Sequence, residues 1–400
     1  MEKKIIFLIA ATLMSVNVSA ATTPEAEPGD VRWSIATGLG YDSNVYRAPR
    51  APYIDYAALL IGSNPTVTPQ KKSGFFVPFA LKAETAKHSS QDTRLTGSAT
   101  ATGSFYTQAE LRNANDYNVR LQAGPEFILA RAGKSENTLY IGGLLGKHKQ
   151  VYVDHDSGLG KTTTLSRTDI SNRYNYMSMG GEAKYKHRTG KIDFGFIGQY
   201  VNYDYEDPLV VSQQDHTYYR LGGDISLPIV SQVKLDLSLD HSVRDYSKRH
   251  SHDALGVYKS AYPLLRYTYN AVGVTLRDRI SPAWLLYLDY DLSRRTDAYV
   301  GYNDYRESRY GARILFEQGR FKSRLALHHW GRDYPNGFAF DVAGQGAKTY
   351  SGNDLKLKAE WEQSKTISYW TDLVYKAQRT TDLRYDFVGS QIMAGISWTH

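Results

Sequence analysis

From Val31 to its end the chain alternates apolar and polar positions with a period of two. Val233, Leu235, Leu237 and Leu239 alternate with Lys234, Asp236, Ser238 and Asp240. Trp284, Leu286, Leu288, Tyr290 and Leu292 alternate with positions that include Asp289 and Asp291, and Leu355, Leu357, Ala359 and Trp361 alternate with Lys356, Lys358, Glu360 and Glu362. Successive side chains of a strand point to opposite faces, a period that an amphipathic helix does not give. The pattern predicts strands over 31–46, 74–86, 93–106, 117–130, 137–150, 173–186, 192–205, 216–228, 233–245, 262–277, 283–294, 305–316, 321–333, 350–363, 368–379 and 387–400, roughly sixteen in all. Segment 262–277 has an ambiguous phase, so the face taken by its tyrosines stays open.

The connections alternate in length. Short turns fall near 87–92, 131–136, 187–191, 228–232, 279–282, 317–320 and 364–367. Longer loops fall near 47–73, 107–116, 151–172, 206–215, 246–261, 295–304, 334–349 and 380–386. Short turns at one end and long loops at the other describe a transmembrane antiparallel up-and-down β-barrel of the outer membrane. A sandwich or propeller would not keep this alternation along the whole chain, nor leave so wide an apolar face. An even strand number puts both termini on the short-turn side, expected to be the periplasm.

Residues 1–20 read as a signal peptide. Lys3 and Lys4 form a basic start, Ile5–Val16 a short apolar stretch, and Val18-Ser19-Ala20 a small-residue cleavage site. The apolar stretch is too short for a spanning helix, and export through the Sec pathway is expected. Residues 21–30 are a polar periplasmic lead-in, and 31–400 the barrel. No apolar run elsewhere is long enough for a membrane helix. The chain has no cysteine, so the barrel needs no disulfide and the leader is not that of a lipoprotein.

A barrel of this size encloses water, so the polar face points inward. Phase places Lys82, Arg94, Arg120, Lys184, Arg220, Lys234, Arg244 and Lys376 inside with Glu84, Glu126, Glu182, Asp224, Asp236, Asp240, Asp289, Asp291, Glu317, Asp354, Glu360, Glu362 and Asp372. Most of these read as cross-strand ion pairs of a self-neutralising wall. Arg309, Arg313, Lys322, Arg324, Lys356 and Lys358 form a denser basic set that would guide an anionic solute. The net charge of +7 carries no block of like charge, so no nucleic-acid partner is expected.

Tyrosine stands out, at 32 residues against 13 Phe and 6 Trp. Tyr41, Tyr46, Tyr53, Tyr56, Tyr174, Tyr176, Tyr200, Tyr203, Tyr205, Tyr302 and Tyr305 gather toward the long-loop side. An aromatic girdle at the lipid interface accounts for most of them. Those within loops point instead to stacking on sugar rings at a channel mouth, with Tyr41, Tyr46, Tyr174 and Tyr176 as candidates.

No enzyme, cofactor or metal is expected. His250-Ser251-His252-Asp253 has ligand-type residues but reads as a polar loop. His328 and His329 point to opposite faces of one strand. No G-x-S-x-G, H-E-x-x-H or phosphate-binding loop occurs.

Two stretches carry a resemblance. Ile392, Ala394, Ile396 and Trp398 alternate to the terminus, which resembles the terminal-strand signal read by the barrel-assembly machinery; the chain departs from it by ending in His400. Gly38-Leu39-Gly40-Tyr41-Asp42-Ser43-Asn44-Val45-Tyr46-Arg47 resembles the opening of β-barrel porin type 2 proteins, including EpsL-like barrels found with exopolysaccharide operons. It is also similar to the barrel of surface lipoprotein assembly modifiers, whose N-terminal helical domain residues 21–30 cannot hold. The porin-like resemblance implies passage of a secreted polysaccharide, an anionic one included, through the outer membrane. It implies contact with lipid, lipopolysaccharide, the polysaccharide and periplasmic export partners. An uptake porin, general or sugar-selective, and a non-channel assembly barrel are the alternatives.

Overall fold

The computed structural model describes residues 31–400 except 57, 58, 60, 61, 134, 164–166, 190, 191 and 210–212. The signal peptide and lead-in assigned to 1–30 lie outside the described residues.

Sixteen antiparallel strands close into one barrel. In chain order they are β1 (Val31–Asp42), β4 (Gly74–Ser90), β5 (Thr93–Tyr106), β6 (Asp116–Ala132), β7 (Ser135–Gln150), β8 (Tyr176–Arg188), β9 (Asp193–Tyr205), β10 (His216–Pro228), β11 (Val233–His250), β12 (Leu264–Asp278), β13 (Trp284–Asp297), β14 (Tyr305–Gln318), β15 (Phe321–Phe338), β16 (Ala347–Glu362), β17 (Ile367–Thr380) and β18 (Phe387–Thr399). Two short strands, β2 (Tyr53–Ile54) and β3 (Thr66–Val67), pair within the first long loop. No helix among the described residues is long and apolar enough to cross a membrane; the strands cross instead. Each is paired on both sides, so no backbone edge is left bare to lipid.

The barrel closes where β1 meets β18, with Gly38 opposite Gly395. Trp33 and His400 exchange backbone hydrogen bonds of 3.0 and 2.9 Å at the short-turn end, so the chain begins and ends its barrel together there.

The period-two pattern sorts the faces. Leu221, Leu239, Leu288, Leu327 and Ile392 stand exposed on the outer surface. Trp284, Trp361, Tyr369 and Trp398 form an exposed aromatic band near the short turns, and Tyr41, Tyr219, Tyr310 and Tyr375 lie exposed nearer the long loops. A tall apolar belt between aromatic bands is the outer face of an outer-membrane barrel in contact with lipid. In β12 the open phase resolves: Tyr267 is fully buried and inward, while Leu264 and Val272 are exposed.

Some boundaries differ from expectation. The strand expected from residue 173 begins at Tyr176, because Ser171–Asn175 form turns in which Asn175 accepts from the Gln150 amide at 2.9 Å. The first strand stops at Asp42, whose Oδ1 takes the Asn44 amide at 2.8 Å and starts the loop. β11, β15 and β16 instead run past the expected ends. Their outer turns pair with one another and with loops, so polarity alone did not mark where pairing ends.

Candidate functional site

Strand register sets acid against base on the inner wall. Arg94 stands opposite Glu126 and bonds it at 2.5 Å. Arg220 reaches Asp240 at 2.5 Å, and Arg313 makes bonds of 2.7 and 2.6 Å to Asp289. Lys322 lies 2.5 Å from Glu362 and 3.5 Å from Glu317. Lys358 approaches Glu360 at 3.9 Å, and Arg309 stands opposite Asp291. Arg324 is different. It stands opposite Lys358, and among the described residues no carboxylate lies within ion-pair distance of it. Lys356 faces Ala326 and Val374 in register and lines a cavity that also holds Asp372. The basic set therefore does share one stretch of wall, but much of its charge is matched locally.

The tyrosines form an inner belt more than an outer girdle. At the long-loop end, rings follow one another across neighbouring strands: His148 to Tyr176 at 5.2 Å, Tyr176 to Tyr203 at 5.2 Å and to Tyr205 at 5.1 Å, Tyr203 stacked on His216 at 4.8 Å, and His216 to Tyr246 at 5.1 Å. The run continues through Tyr267, with the Arg295 guanidinium 4.5 Å from its ring and 4.7 Å from that of Tyr305, and on to Tyr334 and Tyr350. Arginine over aromatic rings adds attraction that an apolar pair lacks.

Beneath this belt lies a cleft of about 290 Å³ on the wall formed by β6 to β11. Tyr174, Tyr176, Tyr203, Tyr205 and Tyr218 supply rings, Gln150 and Gln199 supply amides, and Arg120 and Arg244 supply charge. A second cavity of about 280 Å³, lined by Asp42, Tyr46, Arg47, Tyr106, His155 and Lys356 among others, shares Gln150 with it.

Loops from opposite walls meet over these cavities. The Tyr53 hydroxyl donates to Asp156 Oδ2 at 2.8 Å, and Lys72 Nζ to the Ser157 carbonyl at 2.9 Å. His155 Nδ1 lies 2.6 Å from the Tyr46 carbonyl oxygen, and its ring lies 6.2 Å from Tyr385. Tyr53 also packs on Phe340. Phe340 and Asp341 both hold positive φ, 56° each, a conformation non-glycine residues resist. Arg384 holds that turn, bonding Asp382 at 2.7 and 2.6 Å and Asp341 at 3.1 Å with its charge 5.3 Å from the Phe340 ring. Burial pushes the His155 imidazole below its usual range. The mouth is thus bridged from wall to wall.

The candidate tyrosines part company here. Tyr41 lies on the outer surface against Phe75, with ring centres 5.3 Å apart, so it belongs to the lipid-side band and not to the lumen. Tyr46 is buried in the first loop, its hydroxyl donating to the Glu110 carbonyl at 3.0 Å. Tyr174 and Tyr176 line the cleft. Tyr200 faces lipid, whereas Tyr203 and Tyr205 face in. The loop residues weighed as ligands are used in packing: His252 stacks on Tyr302 at 5.6 Å, and Asp253 accepts the Leu255 and Val257 amides at 3.0 and 2.8 Å. His328 faces the lumen near Asp289, and His329 bonds Asn353 on the outer face at 2.8 Å.

Sequence reasoning put Arg120 and Arg244 inside but did not join them to a site. The phase of Tyr176, Tyr203, Tyr205 and Tyr218 was the available signal. What was lacking was register, which places Arg244 beside Tyr218 and Tyr203 beside Ser178.

No protein-family model matches the chain, and no curated protein matches it in sequence. Among solved structures it is similar to Salmonella typhi OmpF in complex with daunomycin, at 13% identity over 93% of this chain and 97% of that one, with a TM-score of 0.47. It is similar to a bacterial polysaccharide outer membrane secretin, at 10% identity over 94% and 99%, with a TM-score of 0.46. It is also similar to OccAB1 of Acinetobacter baumannii, at 11% identity over 93% and 97%, with a TM-score of 0.46. Nothing about solute or direction is carried over from these proteins.

Proposed function

We propose that this protein is an outer-membrane channel through which a saccharide chain passes, with both termini in the periplasm and the long loops outside. The observation that carries this reading is the tyrosine-lined cleft on the inner wall. Sugar rings present apolar C–H faces and polar rims. Aromatic rings with hydroxyl tips, alternating with amides and guanidinium groups, match both at once. The resemblance of Gly38–Arg47 to exopolysaccharide-operon barrels supports export in particular, with barrel-assembly machinery, lipopolysaccharide and periplasmic export components as partners.

The bridged mouth supports a conduit that the isolated protein keeps narrow. Deleting the gene is expected to leave polymer synthesis intact and to trap polymer in the periplasm. Unchanged surface polysaccharide in the deletion strain would overturn export. The uptake alternative is favoured if the deletion instead slows growth on an oligosaccharide. In planar bilayers, saccharide added to the purified protein should interrupt the ion current; current indifferent to every saccharide tried would remove the sugar from the proposal.

A further inference from the structure

The cleft has a chemical bias that a neutral sugar would not use. Along one register line the wall reads Arg120, Gly146, Ser178, Tyr203 and His216. Gly146 and Ser178 carry almost no side-chain bulk, so a recess opens between the Arg120 guanidinium and the Tyr203 ring. One step along, Arg244 stands opposite Tyr218 with its charge 5.0 Å from the Tyr269 ring. Its Nε is buried with no hydrogen-bond partner among the described residues.

Many charged groups on this barrel wall are matched, but these two, like Arg324, are not. Among the described residues neither Arg120 nor Arg244 has a carboxylate within ion-pair distance. Glu182, which faces the cleft residue Gln199 in register, is already held by Lys184 and by Gln199 at 2.7 Å. Asp240 is held by Arg220. Arg249, above the cleft, donates to Gln214 at 2.5 Å and adds charge of the same sign. Two unmatched guanidinium groups facing a ring-lined recess are poised for a ligand that brings both a flat apolar face and a carboxylate. A guanidinium–carboxylate contact made away from bulk water is stronger and more directional than one between neutral groups.

We infer that the cleft binds an acidic sugar unit, a uronate, with its ring against Tyr203 and Tyr176 and its carboxylate on Arg244 and Arg120. This deepens the saccharide-channel reading and rests on it. The consequence is a channel that discriminates by carboxylate and not only by size.

The test compares trigalacturonate with its fully methyl-esterified form, which has the same backbone and no charge. Both are titrated calorimetrically into the detergent-solubilised full barrel. The acid is expected to bind tighter than the ester by about tenfold or more, the worth of one charge-assisted hydrogen bond. Arg244→Gln and Arg120→Gln should each erase most of that preference, and Arg244→Lys should keep part of it. Tyr203→Ala should weaken acid and ester alike. Heat-modifiable migration on gels checks that each variant is a closed barrel, and the conservative lysine variant keeps the test alive if the glutamine variant does not assemble. Equal binding of acid and ester, or a preference untouched by Arg244→Gln in a folded barrel, overturns the uronate inference and leaves the saccharide channel standing. Binding of neither form overturns both.

Discussion

The Tyr53 hydroxyl meets the Asp156 carboxylate at 2.8 Å, tying the loop after β1 to the loop after β7. Tyr53 packs at the same time on Phe340, from the loop after β15. β7 and β15 stand half a circumference apart in the closed sheet, so this one side chain belongs to a bridge across the mouth.

That bridge should respond to pH. Burial pushes the Asp156 carboxyl up to about 6, with Asp154 and Asp55 adding to the rise while the Tyr53 hydrogen bond and Lys161 oppose it. The folded loop therefore holds a proton that the free loop would lose near pH 4. Its contribution is full below that value and is lost as pH rises through about 6. Asp154 does not share this window: burial opposes its ionisation, but Lys161 at 2.6 Å brings it below the usual range. Burial lowers the proton affinity of the His155 imidazole, which acts in the opposite sense and reduces the net response. Amide hydrogen exchange across 151–160, corrected for intrinsic rates, is expected to show more protection at pH 5 than at pH 7.5. The difference should be about 1 kcal/mol after discounting for partial exposure. Asp156→Asn should flatten it. The same pH response in that variant would show that another group controls the loop.

Arg384 is the second pin of the mouth. It satisfies Asp382 and Asp341 together and lies over Phe340 and Tyr385. Replacing it with Ala leaves Asp382 buried without its cation, while Lys348 still serves Asp341 at 2.5 Å. Removing one partner of a buried pair costs about 3–5 kcal/mol, here against a turn already carrying two left-handed non-glycine residues. Arg384→Ala is expected to assemble as a barrel, lose exchange protection over 339–346 and 381–386, and conduct more in bilayers. Unchanged conductance would mean that these loops do not narrow the path.

Much of the barrel was legible because its two faces meet different solvents. Leu235, Leu237 and Leu239 need lipid, and Asp236 and Asp240 need water or a partner, so the chain displays its strand period openly. The phase of β12 was hidden because Tyr267 and Tyr269 are inward aromatics next to outward Thr268 and Asn270, which reverses the usual polarity of the faces. The site was only partly legible for the same reason. A tyrosine fits a lipid interface and an inner wall equally well, and Tyr41 and Tyr203 look alike until pairing fixes which way each points. The bridge from Tyr53 to Asp156 spans more than a hundred residues, and nothing in local pattern announces it.

The closing seam gives a prediction about assembly. Gly38 and Gly395 face each other where the first and last strands meet. A Cβ on Gly38 would stand 2.1 Å from the Ala394 carbonyl oxygen, and one on Gly395 would stand 2.1 Å from that of Thr37 and 2.6 Å from the Trp370 ring. Both obstacles include backbone, so neither can rotate away. Gly395→Val is expected to cut the heat-modifiable, closed fraction sharply, whereas Ser390→Val, near the open rim of the same strand, should not. Normal closure of Gly395→Val would show that the seam can shift its register freely.

Ion selectivity should follow the unmatched cations and not the count of basic residues. Arg313 is committed to Asp289 through two bonds, and Lys322 is shared between Glu362 and Glu317. Arg324 has Lys358 opposite it and no carboxylate in reach among the described residues, so its charge is free to act on a passing ion. In a water-filled lumen with low-dielectric walls, such a charge raises the local concentration of anions. A modest preference for chloride over potassium is expected at about 0.1 M salt, fading toward 1 M as the screening length falls to about 3 Å. Arg324→Glu should move the reversal potential toward potassium. Arg313→Gln should move it little, because the freed Asp289 replaces one neutral pair by a single screened charge near Arg309 and His328. If Arg324→Glu leaves the reversal potential in place while Arg313→Gln shifts it, then the ion path runs along the Asp289 side of the wall, and the local matching of charge does not decide what the channel prefers.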